Sequence, residues 1–194
     1  MSPGCRRRDV NDEAERPHVL IVDDEERVAS TYDLRLGDAY ETDIALSGEE
    51  ALQRVDDEVD VVLLDRRMPD IAGDEVAEEI RKRGLDCRIV MVTAIDPDFD
   101  IAEMDIDDYV VKPVTKDELR KVVERALTIA AYNDQMQELS TLKLKRNVLE
   151  VELHERELED SDKYQSLVSQ IETLETEIDE MEETFDVDQY ELFL

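Results

Sequence analysis

Five short apolar runs, rich in β-branched residues, alternate with helix-patterned stretches from His18 onward. The runs are HVLIVDD, YETDIAL, VDVVLLD, RIVMVTA and DYVVK. Strands that alternate with helices build a parallel sheet, because each helix returns the chain to the start of the next strand. Helices then cover both faces of that sheet. The sequence therefore predicts an α/β fold with a doubly wound, five-stranded parallel sheet.

The segments between these runs have the composition of helices. Helices are predicted over residues 26–36, 48–56 and 74–83, with a short piece near 98–104 and another helix from 115 onward. Ser47 and Thr115 precede two of them as N-cap residues, and Glu118, three residues after Thr115, suits a capping box. The signals for helix starts thus agree with the alternation of elements.

The chain after Pro113 contains no Gly or Pro, so long helices are predicted there. A heptad seam is formed by Tyr164, Leu167, Ile171, Leu174, Ile178, Met181 and Phe185. A preceding helix is predicted over 131–158, and EDSDKY, which contains Asp160, Ser161 and Asp162, breaks the pattern between them. Two arrangements remain open: an α-helical hairpin, or a coiled coil in which the seam pairs with a second chain.

The formal net charge of -31 indicates a solvated acidic surface. Such a surface repels phosphate, and the region 128–194 has 5 basic and 19 acidic residues, so binding to DNA is disfavoured. The same charge repels itself, which predicts a protein suited to high ionic strength, as in salt-loving cells.

The lack of targeting signals and the pattern of cysteines predict a cytoplasmic protein. Cys5 and Cys87 have neither metal-ligand spacing nor a disulfide framework, which indicates a compartment with reduced thiols. No apolar stretch approaches the roughly 18 residues of a membrane span. Residues 1–17 lack the apolar core of a signal peptide and are predicted to be a disordered leader.

Polar side chains follow four of the five predicted strands. The first strand ends in Asp23 and Asp24, the third in Asp65, the fourth in Thr93 and the fifth in Lys112. The carboxyl ends of the strands in a doubly wound sheet share one rim, where such folds place their sites. Three carboxylates, a hydroxyl and an ammonium group are therefore expected to converge.

Crowded carboxylates raise one another's pKa, and a hard divalent cation relieves that cost. Mg²⁺ suits such a site because it prefers oxygen ligands and accepts a phosphoryl oxygen. With Mg²⁺ present, Asp65 can attack phosphorus and form an acyl phosphate, while Lys112 and Thr93 can contact the phosphoryl oxygens. Chance placement of loop carboxylates explains this joint pattern poorly.

Four segments resemble the motifs of receiver domains in the response regulators of two-component signalling. They are IVDDE (21–25), LLDRRMPDIAG (63–73), VTA (92–94) and DYVVKP (108–113). The resemblance covers residues 18–130 and implies a flavodoxin-like receiver domain. It also implies that a sensor histidine kinase is the phosphoryl donor.

By this resemblance Asp65 is the phosphoacceptor and contributes to Mg²⁺ binding. Asp24 is implied as a direct ligand, Asp23 as a ligand largely through water, and the backbone carbonyl of Arg67 as the third protein oxygen. An aspartate-nucleophile phosphatase would need a second catalytic Asp at the position of Arg67. The sequence therefore favours a signalling protein whose only chemistry is its own phosphorylation and dephosphorylation.

The resemblance also implies a switch pair, Thr93 and Tyr109, with Lys112 contacting the phosphoryl group. Tyr109 alternatively packs as a simple rim aromatic. Two positions depart from the family, since Arg67 and Ile95 are bulky residues that border the path of the hydrolytic water.

Residues 131–194 resemble the HalX domain, which follows receivers in salt-loving archaea. The expected function is that of a response regulator, which relays the phosphorylation signal through this helical domain to a protein partner or to a dimer. Such a homodimer would use the fifth receiver helix and the C-terminal helices. The alternative is a transcriptional regulator that acts on DNA directly or through recruited transcription proteins.

Overall fold

The computed structural model describes residues 16–191, with their side chains as far as residue 183. The predicted leader, apart from Arg16 and Pro17, and Cys5 lie outside the described residues. The described residues divide into two compact units, with the boundary between residues 127 and 128. Each unit has its own apolar core.

The first unit contains the predicted five-stranded sheet. The strands are β1 His18–Val22, β2 Glu41–Ala45, β3 Val61–Leu64, β4 Arg88–Thr93 and β5 Asp108–Val111. All neighbouring strands are parallel, in the order β2-β1-β3-β4-β5. The sheet therefore reverses its winding beside β1 and β3, and this places the segments that follow these two strands next to each other.

Helices connect the strands at the predicted places. They are α1 Glu26–Leu36, α2 Gly48–Arg54 and α3 Gly73–Lys82, with a 3-10 helix Phe99–Glu103 between β4 and β5, and α4 Lys116–Glu152 follows β5. Both predicted caps are present. The Ser47 hydroxyl accepts the N–H of Glu50 at 3.1 Å. Glu118 accepts the N–H of Thr115 at 2.8 Å, and its own N–H donates to the Thr115 hydroxyl at 3.3 Å.

Side chains that alternate along the strands form separate cores on the two faces of the sheet. Ile21 and Leu63 belong to the core that includes α1 and the start of α4. Leu20 and Leu64 belong to the core that includes α2 and α3. Burial of both faces explains why the central strands are uninterrupted apolar runs.

The second unit is an antiparallel helical hairpin. Ile171, Leu174 and Ile178 of α6, which spans Asp162–Glu191, pack with Leu139 and Leu142 of α4. Hydrogen bonds connect Tyr132 with Glu182 at 2.8 Å and Tyr164 with Glu150 at 2.7 Å. Later residues of one helix thus meet earlier residues of the other. The seam residue Phe185 lies outside the described side chains.

The break between the hairpin helices is longer than predicted. The first helix ends at Glu152 instead of residue 158, and a short helix, α5, spans Glu155–Glu159. The Glu157 carboxylate accepts the N–H of His154 at 3.1 Å and takes the place of a helical carbonyl. A second interruption occurs at the predicted EDSDKY segment, where the Ser161 hydroxyl accepts the N–H of Tyr164 at 3.3 Å. No helix among the described residues has the length and apolarity needed to cross a membrane.

Candidate functional site

The carboxyl ends of β1, β3 and β5 bring three of the predicted side chains together. The N–H of Asp65 donates to the Val22 carbonyl at 2.8 Å, so Asp65 is held against the end of β1. The N–H of Lys112 donates to the Thr93 carbonyl at 2.7 Å and continues the pairing of β4 with β5. These backbone hydrogen bonds fix the positions of the Cα atoms of Asp65 and Lys112.

Lys112 lies between two carboxylates. Its ammonium group donates to Asp23 Oδ2 at 2.6 Å and to Asp65 Oδ1 at 3.1 Å. The side chains of Asp23, Asp65 and Lys112 are 3%, 9% and 16% exposed. Asp23 Oδ1 also accepts the N–H of Glu25 at 2.9 Å. The site therefore holds two buried acids beside one cation.

Burial and charge change the basicity of these groups. Burial raises the pKa of Asp65 above its ordinary value, and the nearby Asp23 adds to the rise, while Lys112 and the N–H of Arg67 oppose it. Burial alone would lower the pKa of Lys112, but Asp23 and Asp65 outweigh it and raise that pKa. Lys112 thus remains a cation, and Asp65 is a more basic carboxylate than an exposed aspartate.

Thr93 and Tyr109 meet at Ile95. Thr93 is 1% exposed, and its hydroxyl accepts the N–H of Ile95 at 3.4 Å. The Tyr109 hydroxyl donates to the carbonyl of the same Ile95 at 3.0 Å. The Tyr109 ring also packs against the core on the α2 and α3 face. Both interpretations of Tyr109 therefore have a physical basis, because it packs at the rim and bonds to the segment after Thr93.

Asp24 and Arg67 are exposed, unlike Asp23 and Asp65. Within the part of the chain that the structure describes, no three His, Cys, Asp or Glu side chains are grouped to hold a metal ion. Asp24 therefore does not complete a side-chain triad with Asp23 and Asp65. The roles of Asp24 and of the Arg67 carbonyl as Mg²⁺ ligands stay a prediction.

The donors that do converge suit Mg²⁺. Asp23 and Asp65 supply hard carboxylate oxygens within reach of one ammonium group, so they are close neighbours. Mg²⁺ commonly binds through one or two carboxylates and fills its other positions with water and phosphoryl oxygens. A cation at this place would also offset the repulsion from Asp23, which adds to the larger effect of burial in raising the pKa of Asp65.

The role of Arg66 was missed by sequence reasoning. Its guanidinium forms a hydrogen-bonded ion pair with Asp100 of the 3-10 helix and lies 3.9 Å from Asp74. The hydrogen bond to Asp100 raises the pKa of Arg66, and a bond with Tyr109 adds to it. Arg66, the residue after Asp65, thus links the site to the segment between β4 and β5. The acidic DPDFD sequence was the available signal for such a partner.

The loop after Asp65 is anchored at two points. The Asp70 carboxylate accepts the N–H groups of Gly48 and Glu49 at 3.3 and 3.0 Å, at the start of α2. These bonds, that of Glu49 foremost, lower the pKa of Asp70. The N–H of Gly73 donates to the Arg66 carbonyl at 2.9 Å. The loop is therefore closed at its base and held at its tip.

Comparison with protein families identifies both units. A sequence model of the response regulator receiver domain matches residues 19–124. A model of the HalX domain matches residues 128–193.

Related proteins match about three fifths of this chain. A candidate transcriptional regulator of Haloferax volcanii is 51% identical over 125 residues, which are 64% of this chain and 22% of that protein. The alkaline phosphatase synthesis transcriptional regulatory protein PhoP of Bacillus subtilis is 35% identical over 126 residues, 61% of this chain and 52% of that protein. The matches thus span about a fifth and about half of these relatives.

Solved structures share the fold of this region. The response regulator TrrA of Thermotoga maritima, in complex with Mg²⁺ and BeF, is 39% identical with a TM-score of 0.51, and the match covers 57% of this chain and 99% of that one. A CheY-like receiver domain protein of Methanospirillum hungatei is 26% identical with a TM-score of 0.55, covering 59% and 96%.

Proposed function

Because the chain belongs to the response regulator receiver family and carries a HalX domain after its receiver, we propose that it is a signalling switch phosphorylated on Asp65. The observation that carries this proposal is the contact of one ammonium group, that of Lys112, with both Asp65 and Asp23. A buried carboxylate with raised basicity, next to a fixed cation, is suited to accept a phosphoryl group.

The phosphoryl donor is a phosphohistidine on a sensor histidine kinase. An Asp65 oxygen attacks phosphorus, a P–O bond forms, and the P–N bond to the imidazole breaks. The imidazole leaves with the electron pair and takes up a proton. The protein's own chemistry is limited to this phosphorylation and to hydrolysis of the resulting acyl phosphate, so it is not an enzyme acting on other substrates.

The chain's residues position and neutralise the incoming group. Mg²⁺, when bound, supplies the positive charge that lets an anionic carboxylate approach an anionic phosphoryl group. Asp23, Asp24, Asp65 and the Arg67 carbonyl would hold it. Lys112 exchanges its contact with Asp65 for one with a phosphoryl oxygen and keeps its bond to Asp23.

Thr93 and Tyr109 move together on phosphorylation and so change the surface of the receiver. The Thr93 hydroxyl accepts the N–H of Ile95 at the long distance of 3.4 Å, so its own hydrogen can be donated to a phosphoryl oxygen. A shift of Thr93 moves Ile95, and with it the carbonyl that accepts the Tyr109 hydroxyl. The bonds at Ile95 thus support a coupled movement of the pair.

The output belongs to transcription control through a protein partner. The relatives PhoP and the Haloferax volcanii protein are named as regulators of transcription. The HalX region has 5 basic and 19 acidic residues, which suits contact with a protein better than contact with DNA. Recruitment of another transcription protein therefore fits both observations, and direct DNA binding is the second candidate.

Incubation with acetyl phosphate and Mg²⁺ in molar KCl tests the proposed chemistry. Intact-mass measurement should show the gain of one phosphoryl group. Asp65→Asn should abolish the gain, because an amide is not a nucleophile toward phosphorus. Asp57→Asn, which changes an exposed carboxylate before β3, is the matched control and should be labelled like the unmodified protein. Undiminished labelling of the Asp65→Asn variant would disprove the assignment.

A further inference from the structure

The α4 helix has apolar side chains on the side opposite the hairpin core. Leu144, Val148 and Val151 are 65%, 55% and 82% exposed, whereas Leu139 and Leu142 are 6% and 9% exposed. At about 100° per residue, Leu142 and Leu144 point to opposite sides of the helix. The exposed residues therefore form a second apolar face that the hairpin does not use.

This face has the spacing of a coiled-coil seam. Thr141, Leu144, Val148 and Val151 follow one another at intervals of three, four and three residues. The Thr141 hydroxyl donates to the Gln137 carbonyl at 3.0 Å within the helix, so Thr141 offers mainly its methyl group outward. We call these four residues the outer stripe. A second helix can follow a seam of this period along its whole length.

The residue types of the outer stripe favour a parallel pair of helices. Thr141 and Val148 are β-branched and occupy one heptad position, a, while Leu144 and Val151 occupy the other, d. Val or Ile at a with Leu at d favours parallel dimers, and Val148 with Leu144 meets this rule. Val is also a weaker helix former than Lys or Glu, so two Val residues on an exposed helical face cost stability unless something covers them.

The flanks of the stripe accept an identical helix without repulsion. On one side are the charged residues Glu138, Lys145 and Glu152, at heptad position e. The other side, position g, has Asn133, Ser140 and Asn147, all polar and uncharged. In a parallel pair each g residue faces the e residue five positions later on the other chain. Ser140 then meets Lys145, and Asn147 meets Glu152, which are pairs that can hydrogen-bond.

The distribution of charge in the second unit favours contact between two copies at this part of α4. The unit has 19 acidic and 5 basic residues, but its segment 139–149 has three basic residues and no acidic one. Two of them are paired within the unit, Lys143 with Glu175 at 2.7 Å and Arg146 with Glu150 at 3.6 Å. Two equally acidic chains therefore repel least along the outer stripe.

We propose that a second copy of this chain covers the outer stripe, so that two HalX hairpins associate through a parallel, in-register pair of α4 helices. Leu144, Val148 and Val151 then each pack against the same residue of the other copy. The surface is distinct from the phosphoacceptor site and does not depend on the function proposed for that site.

Sedimentation of the full chain in molar KCl, over a range of concentrations, tests the association. We expect a dimer, and we expect Leu144→Glu to weaken it at least about a hundredfold, since each dimer loses two apolar side chains from its interface and gains two buried charges. Leu34→Glu is the matched control, because Leu34 of α1 has the same exposed fraction as Val151, 82%. This control should leave the dimer intact. A monomer at all concentrations, or a dimer that Leu144→Glu does not weaken, would overturn the proposal.

Disulfide cross-linking tests the parallel orientation. Val148→Cys in a Cys5→Ser background should cross-link rapidly on mild oxidation, because equivalent a positions face each other in a parallel pair. Cys87 can remain, since burial raises the pKa of its thiol to about 11 and keeps it unreactive. Leu34→Cys in the same background should not cross-link. A dimer in which Val148→Cys fails to cross-link contradicts the in-register pair.

Discussion

Gly73 approaches the backbone of Asp65 so closely that a Cβ atom on Gly73 would lie 2.3 Å from the Asp65 carbonyl oxygen. The first residue of α3 is thus packed directly against the phosphoacceptor's own peptide unit. No side chain fits there unless the backbone of Asp65 and Arg66 moves, because the three nearest atoms all belong to that backbone.

The Gly73→Ala variant should therefore lose both stability and phosphorylation. We expect a loss of about 2 kcal/mol or more in the free energy of unfolding, since the methyl group forces a backbone shift. Urea unfolding and acetyl phosphate labelling measure the two effects. Gly84→Ala is the control: Gly84 has a φ of 74° and no atom within 4 Å, so it should cost stability but leave labelling unchanged.

Lys112→Met should leave Asp23 and Asp65 as neighbouring acids without their cation. We expect a loss of about 2 kcal/mol or more at neutral pH, because one partner of a largely buried ion pair is removed. Labelling of Asp65 should fall strongly. Lys112→Arg, which keeps the charge, should recover part of the stability. Equal stability of the Met variant and the unmodified protein would contradict the structural role of this contact.

Asp65→Asn should stabilise the protein at neutral pH. The folded protein raises the pKa of Asp65 above its ordinary value of 3.8, so ionisation of this group opposes folding. This cost is absent below pH 3.8 and reaches its full size above the raised pKa. The advantage of the Asn variant in urea unfolding should therefore shrink as the pH falls toward 3.8. A variant less stable than the parent at pH 7 would refute this interpretation.

Asp70→Ala should destabilise the start of α2 by about 1 kcal/mol, the usual cost of a lost cap. The N–H groups of Glu49 and Gly48 hold the pKa of Asp70 below its ordinary value, so its contribution is complete above pH 3.8. It is lost as the pH falls through the lowered pKa. Urea unfolding should thus show that the variant and the parent differ more in their free energy of unfolding at pH 7 than at pH 2.

Salt should stabilise the whole chain. A net charge of -31 repels itself in dilute buffer, and molar KCl reduces the screening length to about 3 Å. The melting temperature should therefore rise steadily between dilute buffer and molar KCl. A flat profile, measured by circular dichroism, would show that self-repulsion is not a significant cost.

The central features were predictable from sequence because they depend on local signals. The predicted bounds of α1 agree with the structure at both ends, and the Thr115 and Glu118 capping box is present. The convergence of Asp23, Asp65 and Lys112 followed from the rule that parallel strands end at one rim. The alternation of strands with helices was therefore sufficient to predict where the site lies.

The remaining features depend on contacts between distant segments. The end of α4 at Glu152 requires the Glu157 carboxylate to replace a helical acceptor at His154, which heptad spacing does not reveal. The sequence also left open whether the heptad seam of α6 packs within the hairpin or against a second chain. Leu139 and Leu142 of α4 pack against α6, so the hairpin forms. The bond between Arg66 and Asp100 joins residues that no local pattern relates.

The 3-10 helix Phe99–Glu103 contains no buried residue, and Phe99 is 94% exposed. Local unfolding of this segment would therefore expose little buried apolar surface. Its amides should exchange with solvent deuterium well before those of α3, which packs on the sheet. Because Asp100 of this segment binds Arg66, the residue next to the phosphoacceptor, exchange rates there should respond to changes at Asp65. The segment can thus report on the site without an attached fluorophore or a substitution.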